Sequence, residues 1–491
     1  MFESKIQHLL RNAQNAFAQR NFITAQGYLI EVIGLDNTKP EYYSALATAQ
    51  KKLNLIDKAK SNYFEAIKLN SSFWEAYYNL GLISQESGLI DEAIQFYEKA
   101  IELNPNIYLA FYNLGNAYKK MNNFELAIQN YSSAVKIKNN FADAYYNLGV
   151  VYEQLFNFNE AEKYYEMAIN SEPNHVYSHW NKSLLLLLRR DFNNGFREYE
   201  WRLLREESVK RNFLKPRLYN QDIYNKKIYV YSEQGLGDAI QFIRFLPLLK
   251  NKGCFIIFEA DPQLISLFSH LSFIDLLIPR KNLDEPIIDY DYYIPLLSLP
   301  FLLKPDFESH QDDKSYLQPD SKKVELWHER IISNKIKVGI VWAGNRYHQG
   351  DKKRSIPLKD FKFLSQVNDI ELFSLQKGES SNELLQIDFP VSEILSNEIN
   401  DFADTAAAIV NLDLLITVDT SAAHLSGALG KKTWLLLPFF PDWRWQLNRN
   451  DSPWYPSMKL FRQSEPDDWS NVFRTVANEL ILFVNQKKEL N

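Results

Sequence analysis

One cysteine stands in a chain of 491 residues. Cys254 therefore has no intrachain disulfide partner, and a Cys-rich metal site is excluded. It falls in the apolar run CFIIFEA, where a buried core thiol is expected. Long hydrophobic runs are missing too. SLLLLLRRDF, the longest candidate, falls far short of the roughly 20 apolar residues a membrane helix needs. The opening MFESKIQHLLRNAQ lacks the positive-then-apolar pattern of a secretory signal, so a cytoplasmic location is expected. A net charge of −6 is mild for this length and gives no argument for nucleic-acid or membrane binding. No G-x-x-x-x-G-K-[ST], G-x-S-x-G or H-E-x-x-H occurs, which removes the P-loop, the nucleophile elbow and the zinc-protease helix. Hydrophobic residues at 46% and charged residues at 24% fit a soluble globular protein. The length suggests about two to four domains.

What is present first is a repeat. YYNLG at Tyr77–Gly81, FYNLG at Phe111–Gly115 and YYNLG at Tyr145–Gly149 recur at a step of 34 residues. Ala93, Ala127 and Ala161 keep the step, as do Ala100, Ala134 and Ala168; it runs back to Ala59, Ala66 and Ala25 and forward to Gly195. Within a unit, AYYNLGLISQESG and DEAIQFYEKAIELNP each read as an amphipathic helix. The small residues let the two helices approach, and Pro105 and Pro173 end units. This helix-turn-helix period resembles the tetratricopeptide repeat. About five units and a modified sixth, HWNKSLLLLLRRDFNNGFREYEWR, assign residues 1–205 to an α-solenoid whose concave face holds a peptide.

Asn79, Asn113, Asn147 and Asn181 share the same step on the first helix of each unit. An amide donates to and accepts from a peptide backbone at once, so the four form a candidate grip on an extended acceptor chain. This is similar to the asparagine ladder of the O-GlcNAc transferases. The competing reading is that Asn at this position only aids capping or solubility.

From residue 226 the pattern changes to alternating strands and helices. KKIYVYS, CFIIFEA and FIDLLIP read as strands, with PQLISLFSHL as a helix. A second series follows: KIKVGIVWAG, IELFSLQ, DLLITV and KKTWLLLP as strands, with LKDFKFLSQV, DFADTAAAIVNL and SAAHLSGALG as helices. Such alternation argues for parallel sheets covered by helices, in two lobes at residues 220–330 and 331–491. Ligands of such sheets bind at the carboxyl ends of the strands.

Four loops sit at such ends. In ITVDTSAAHLSGALG, the strand delivers Asp419, Thr420 and Ser421 to a helix start, where free N–H groups and the helix dipole suit a diphosphate. His424 lies one turn in, placed to donate to a phosphate or leaving group; the alternative is plain capping with His424 as a packed core residue. WAGNRYHQGDKKRSIP offers Arg346, His348, Lys352, Lys353 and Arg354 against phosphate charge, or is a solvated basic loop. SLQKG adds Gln376 and Lys377. FFPDWRW is aromatic and either stacks on a base or sugar, caps the core or seals the lobe interface.

YSEQGLGDAIQF joins a strand to a helix through Gly235 and Gly237, with Asp238 at the joint. Phosphate cradle, catalytic base and helix cap are all open readings of it. A dinucleotide fingerprint would need a third glycine where Ile240 stands, although Glu259 ends the next strand at a suitable distance. Asp289-Tyr290-Asp291 mimics a metal-binding acid pair and is read as a strand end.

The series SEQGLGDAIQFIRFLPLL, VGIVWAGN, RSIPL, SLQKG, DFADTAAAIVNLDLLITVDTSAAHLSGALGKKTWLLLPFFPDWRW and DSPWYPSMKLFRQ resembles the bacterial glycosyltransferases that carry tetratricopeptide repeats. Their catalytic part is similar to the lipopolysaccharide heptosyltransferases, and their layout to the O-GlcNAc transferases. The resemblance implies the α/β GT-B fold of two Rossmann-like lobes after the α-solenoid. It implies sugar transfer from a nucleotide sugar, with no obligatory metal and no cofactor beyond that substrate. The acceptor it implies is a polypeptide, flagellin or another surface protein among them. By position, Asp238 matches the general base for the acceptor hydroxyl, and Gly235 and Gly237 let the backbone pass close to acceptor. Asp419, Thr420, Ser421, Ala422 and His424 match the donor loop; Asn345 and Arg354 match the basic loop; Gln376 and Lys377 match a further donor loop. The first lobe is short and the basic loop lacks the heptosyltransferase lysine pattern, so the sugar does not transfer with the fold. Two other readings stand beside this one. One is a glycan or lipid glycosyltransferase whose repeats bind a partner protein; the other is a non-catalytic repeat scaffold.

Overall fold

The computed structural model describes residues 2–281, 287–307, 315–347 and 350–489. The chain divides into two compact units, Met1–Lys182 and Ser183–Asn491.

The first unit is a stack of helix pairs. They are α1 (Phe2–Ala18) with α2 (Phe22–Leu35), α3 (Pro40–Lys52) with α4 (Ile56–Leu69), and α5 (Trp74–Glu86) with α6 (Ile90–Leu103). α7 (Tyr108–Lys120) with α8 (Phe124–Ile137) and α9 (Ala142–Gln154) with α10 (Phe158–Ser171) continue it. α11 (Val176–Leu188) then crosses into the second unit, where α12 (Phe192–Tyr199) follows.

The repeated residues explain the stack. Ala93, Ala100, Ala127, Ala134, Ala161 and Ala168 are all fully buried, as are Tyr97, Tyr131 and Tyr165. Each tyrosine ring wedges over a glycine of the partner helix. A Cβ on Gly81, Gly115 or Gly149 would stand 2.5, 2.7 or 2.5 Å from the ring of Tyr97, Tyr131 or Tyr165. The turn inside each pair also repeats. Arg20, Asn54, Gly88, Asn122, Phe156 and Arg190 all have φ between 54° and 79°, the left-handed region, yet only one is glycine. Asn21, Asn123 and Asn157 cap the second helix of their pairs by accepting a backbone N–H.

The sequence places the end of the repeats at 205, but α12 folds with the second unit. Phe192 and Phe196 pack on Phe307 with ring centroids 4.5 and 5.4 Å apart, and reach Trp454 and Trp443. This aromatic cluster holds the last repeat helix against the α/β part.

The second unit carries two parallel sheets. The first has the order β3-β2-β1-β4, from β1 (Lys227–Tyr231), β2 (Phe255–Ala260), β3 (Leu276–Pro279) and β4 (Tyr292–Pro295). α13 (Leu236–Phe242) and α14 (Leu246–Lys250) lead from β1 to β2, α15 (Ile265–Phe268) follows β2, and α16 (Leu299–Leu303) follows β4. α17 (Ser321–His328) leads to the second sheet.

The second sheet has the order β10-β9-β8-β5-β6-β7. Its strands are β5 (Ile336–Val341), β6 (Ile370–Ser374), β7 (Glu393–Ile394), β8 (Leu414–Val418), β9 (Thr433–Leu437) and β10 (Met458–Arg462). Its helices are α18 (Asp351–Arg354), α19 (Phe402–Val410), α20 (Ser421–Ala428) and α21 (Trp469–Glu489). Counted from β5, the order is that of a doubly wound sheet, with the switch point between β5 and β8. β8 and β9 are buried along their whole length, which explains their unbroken apolar runs. Val338, Ile340, Leu414, Ile416 and Trp434 share one core with Phe473, Val476 and Leu480 of α21. β7 and β10 lie outside the strands expected from sequence, and LKDFKFLSQV forms a 3₁₀ rather than an α-helix. No helix among the described residues is long and apolar enough to cross a membrane.

Three glycines separate packing from backbone effects. Gly27 is helical, exposed and open, so Gly27→Ala is expected to stabilise by about 0.5–1 kcal/mol. Gly88 is equally open but left-handed, so Gly88→Ala is expected to cost about 1–2 kcal/mol. Gly115→Ala meets Tyr131 and is expected to cost about 1–3 kcal/mol. Thermal unfolding of the full chain reads all three, and a stabilising Gly115→Ala would contradict the wedge.

Candidate functional site

At the switch point, fully buried β8 presents Asp419 and Thr420 to α20. Thr420 is the N-cap, with extended backbone at φ −142° and ψ 173°. Ser421 and Ala422 form the half-buried first turn, where backbone N–H groups have no acceptor within the helix. The Asp419 carboxyl is pushed up to about 6 by its burial and by the neighbouring Asp442, against the pull of Trp445, Arg354 and Arg444. His424 lies one turn further, buried, with Nδ1 2.8 Å from the Tyr455 hydroxyl and its ring stacked on Trp445 at 5.2 Å. Burial and the guanidiniums of Arg444, Arg244 and Arg354 hold its pKa well below the usual histidine range, so the imidazole is neutral.

The loop after β5 supplies Arg354. Its Nε lies 3.3 Å from Asp351 Oδ1, and a Cβ on Gly344 would stand 2.6 Å from that carboxylate. The glycine is what lets the loop backbone pass beneath the pair. Arg354 also acts on Asp419 and His424, which joins this loop to the α20 start. Lys353 and Arg346 are exposed; His348 lies outside the described residues.

The other donor-side residues shape backbone. Gln376 Oε1 accepts from Trp342 N at 3.0 Å and Ala343 N at 2.9 Å, while Nε2 donates to the carbonyls of Ala343 and Lys377. Lys377 Nζ donates to the Ile399 carbonyl, and Asn345 Oδ1 accepts from Tyr347 N at 3.0 Å.

From the first sheet, α13 meets α20 at its first turn. A Cβ on Gly237 would stand 2.7 Å from His424 Cδ2 and 3.5 Å from Ser421 Cα, so only glycine admits this approach. Gly235 is the N-cap, and its N–H donates to Asp238 Oδ2 at 2.9 Å. The other oxygen, Oδ1, accepts from Arg444 Nη2. The cap reading and a cross-sheet ion pair are thus both present in Asp238.

Arg444 had not been singled out from the sequence. It sits in FFPDWRW after β9 and is buried. Nη1 donates to Asp442 at 2.9 Å and Nε to Gln241 Oε1 at 2.6 Å. The available signal was an arginine between two tryptophans, since a cation in so apolar a run needs carboxylate partners. Trp443 and Trp445 are buried, as both the core-capping and the interface-sealing readings expect.

In the repeat unit, Asn113 and Asn147 are buried. Their Nδ2 atoms donate to the hydroxyls of Tyr78 and Tyr112 in the preceding pair, at 3.1 and 3.2 Å. Asn181 donates to the Tyr165 hydroxyl at 3.1 Å, and Asn79 to the Glu75 carbonyl at 2.8 Å. Each amide donor therefore braces a helix or a neighbouring pair.

Other motifs have local roles. Glu259 is buried, pairs with Arg211 and accepts from the Tyr229 hydroxyl at 2.6 Å, which occupies it away from any ribose. Asp289 pairs with Lys227 Nζ, and Asp291 accepts from Lys227 N at 2.8 Å, both at the entry to β4. Cys254 is buried, and burial pushes its thiol up to about 11.

Comparison with known proteins addresses the repeats. Models described as TPR repeat and tetratricopeptide repeat match residues 74–107, 96–129, 115–155 and 142–175. Protein FlbA of Caulobacter vibrioides is 24% identical over 289 residues, which are 54% of this chain and 48% of that protein. The chain thus spans about half the length of this curated relative. Among solved structures, MamA is 26% identical, with 35% of this chain and 94% of that one covered at a TM-score of 0.32. YrrB, a TPR protein with an unusual peptide-binding site, is 20% identical, with 38% and 98% covered at 0.33. The first unit is a solenoid of tetratricopeptide repeats, a fold whose concave surface serves protein or peptide binding.

Proposed function

We propose that the chain transfers a sugar from a nucleotide-sugar donor to a polypeptide recruited by the repeats. In this reading the two sheets are the lobes of a GT-B fold, the first on the acceptor side and the second on the donor side. The observation that carries it is the close approach of two strand-loop-helix joints, Gly237 of α13 against Ser421 and His424 of α20. One joint lies at the switch point of a doubly wound sheet, where a nucleotide binds, and the other brings an acid to it.

The chemistry follows from those positions. The acceptor hydroxyl oxygen attacks the anomeric carbon, and its proton passes to Asp238. The bond from that carbon to the diphosphate breaks, and the electron pair leaves on the diphosphate oxygen. The N–H groups of Ser421 and Ala422, the α20 dipole and Arg354 meet the growing charge. A positioned base contributes about 10²–10⁴-fold. Neutral His424 offers a hydrogen bond rather than charge. Gln376, Lys377 and Asn345 act by shaping the donor loops. A polypeptide acceptor accords with the repeats, with flagellin or another surface protein as the class suggested by the resemblance.

Release of nucleoside diphosphate from a panel of nucleotide sugars tests this. One donor is expected to turn over, and Arg354→Ala to slow it about 10²-fold. A folded chain that releases nothing from any donor would contradict the reading and favour a scaffold.

Asp419 gives a check that needs no acceptor. Its carboxyl sits at about 6 in the folded chain against 3.8 ordinarily, so ionising it costs the folded state more than the unfolded. That cost grows as pH rises from about 4 to about 6 and is constant above. Asp419→Asn is therefore expected to be more stable than the wild type at about pH 8, with the gain gone at about pH 4. Urea unfolding at the two pH values reads it; an equal gain at both would contradict the shifted carboxyl.

A further inference from the structure

We propose that Arg444 is a donor-responsive positioning residue. A diphosphate at the start of α20 draws its guanidinium off Asp238 and leaves that carboxylate free to take the acceptor's proton. The inference rests on the glycosyl-transfer reading above.

In the present arrangement both Asp238 oxygens are already acceptors, Oδ1 from Arg444 and Oδ2 from the Gly235 N–H. Each oxygen keeps a second lone pair, but the Arg444 guanidinium occupies one approach to Oδ1 and its charge repels an arriving proton. The Gly235 bond is the helix cap and is fixed by backbone. The Arg444 bond is the one a side chain can undo.

Arg444 is also placed to be drawn away. It is buried, lies with its guanidinium 4.4 Å from the Trp443 ring centroid, and acts electrostatically on both Asp419 and His424. A guanidinium has five N–H groups, and three atoms here use one each, on Asp238, Asp442 and Gln241. One N–H remains on each terminal nitrogen. A diphosphate carries more charge than a carboxylate and accepts two parallel N–H bonds, so it competes well for this fork. Asp442 and Gln241 still hold the residue when Asp238 is released.

The step balances. The acceptor O–H proton moves to the freed Asp238, the new bond forms to the anomeric carbon, and the diphosphate departs with its electron pair. As the diphosphate leaves, Asp238 loses the proton to solvent and Arg444 returns. The acid is thus free only while donor is bound.

Competition for one guanidinium has a reciprocal consequence: removing the Asp238 charge must strengthen diphosphate binding. Loss of a nearby negative charge also favours an anion by itself, but that gain would add to the effect of Arg444→Gln, whereas competition for one guanidinium does not add. Titration calorimetry of the full chain with UDP, GDP, ADP and CDP identifies the diphosphate that the wild type binds. Asp238→Asn, which still accepts from Gly235 N, is expected to tighten it about fivefold or more, and Arg444→Gln to weaken it by a similar factor. The double variant should bind like Arg444→Gln alone. Should Arg444→Gln fail to fold, Arg444→Lys replaces it, with a smaller loss expected. An unchanged or weaker affinity in Asp238→Asn, or additive effects in the double variant, overturns the inference and leaves the transfer reading standing. No binding of any diphosphate by the wild type overturns both.

Discussion

A buried guanidinium cannot stand alone, and the second unit is organised around one. Taking a charge out of water costs several kcal/mol unless partners surround it. Arg444 satisfies this with Asp442 from its own loop and with Asp238 and Gln241 from α13. The loop after β9 is thereby tied to a helix that begins after β1. The same junction brings Gly237 under His424 and sets the first turns of α13 and α20 together. Arg244 adds a second tie, donating from α13's continuation to the Trp454 carbonyl at 3.0 Å. These links hold the strand-end loops of the two parallel sheets together.

The repeats needed no such electrostatic device, and they were legible for that reason. Alanine, glycine and tyrosine at a fixed step are there because helices in contact leave space for nothing else, so packing writes itself into composition. The left-handed turn inside each pair was not legible. Its geometry repeats six times, from Arg20 to Arg190, but the position holds arginine, asparagine, glycine or phenylalanine, and only Asn54, Gly88 and Asn122 are types that favour it. The packing of the last repeat helix was not legible for a related reason. The GFREYEWR stretch keeps the repeat's helical pattern, but Phe192 and Phe196 find their partners in Phe307 and Trp454, far along the chain. Local periodicity carries no information about such contacts.

The site was legible as positions and less so as roles. Strand-to-helix joints with Asp238, Asp419 and His424 came from the alternation of elements, and the fold gathers all three with Arg354. What each side chain is bonded to could not be read. Gln376 looks like a ligand residue but has its amide spent on the backbone of Trp342, Ala343 and Lys377. The repeat asparagines look like a peptide grip, and the amide donors of Asn113 and Asn147 are engaged with tyrosines of the preceding pair. Arg444 was hidden among aromatics, and its importance is visible only through residues some 200 positions away in the chain.

The central claim is that a nucleotide diphosphate sits at the first turn of α20, across from α13. A crystal structure of the chain with bound nucleoside diphosphate tests it most directly. The account predicts phosphate oxygens within hydrogen-bonding distance, about 2.7–3.2 Å, of the Ser421 and Ala422 N–H groups and of Arg354. Phosphates bound elsewhere, with the α20 N-terminus still packed and unliganded, would contradict it.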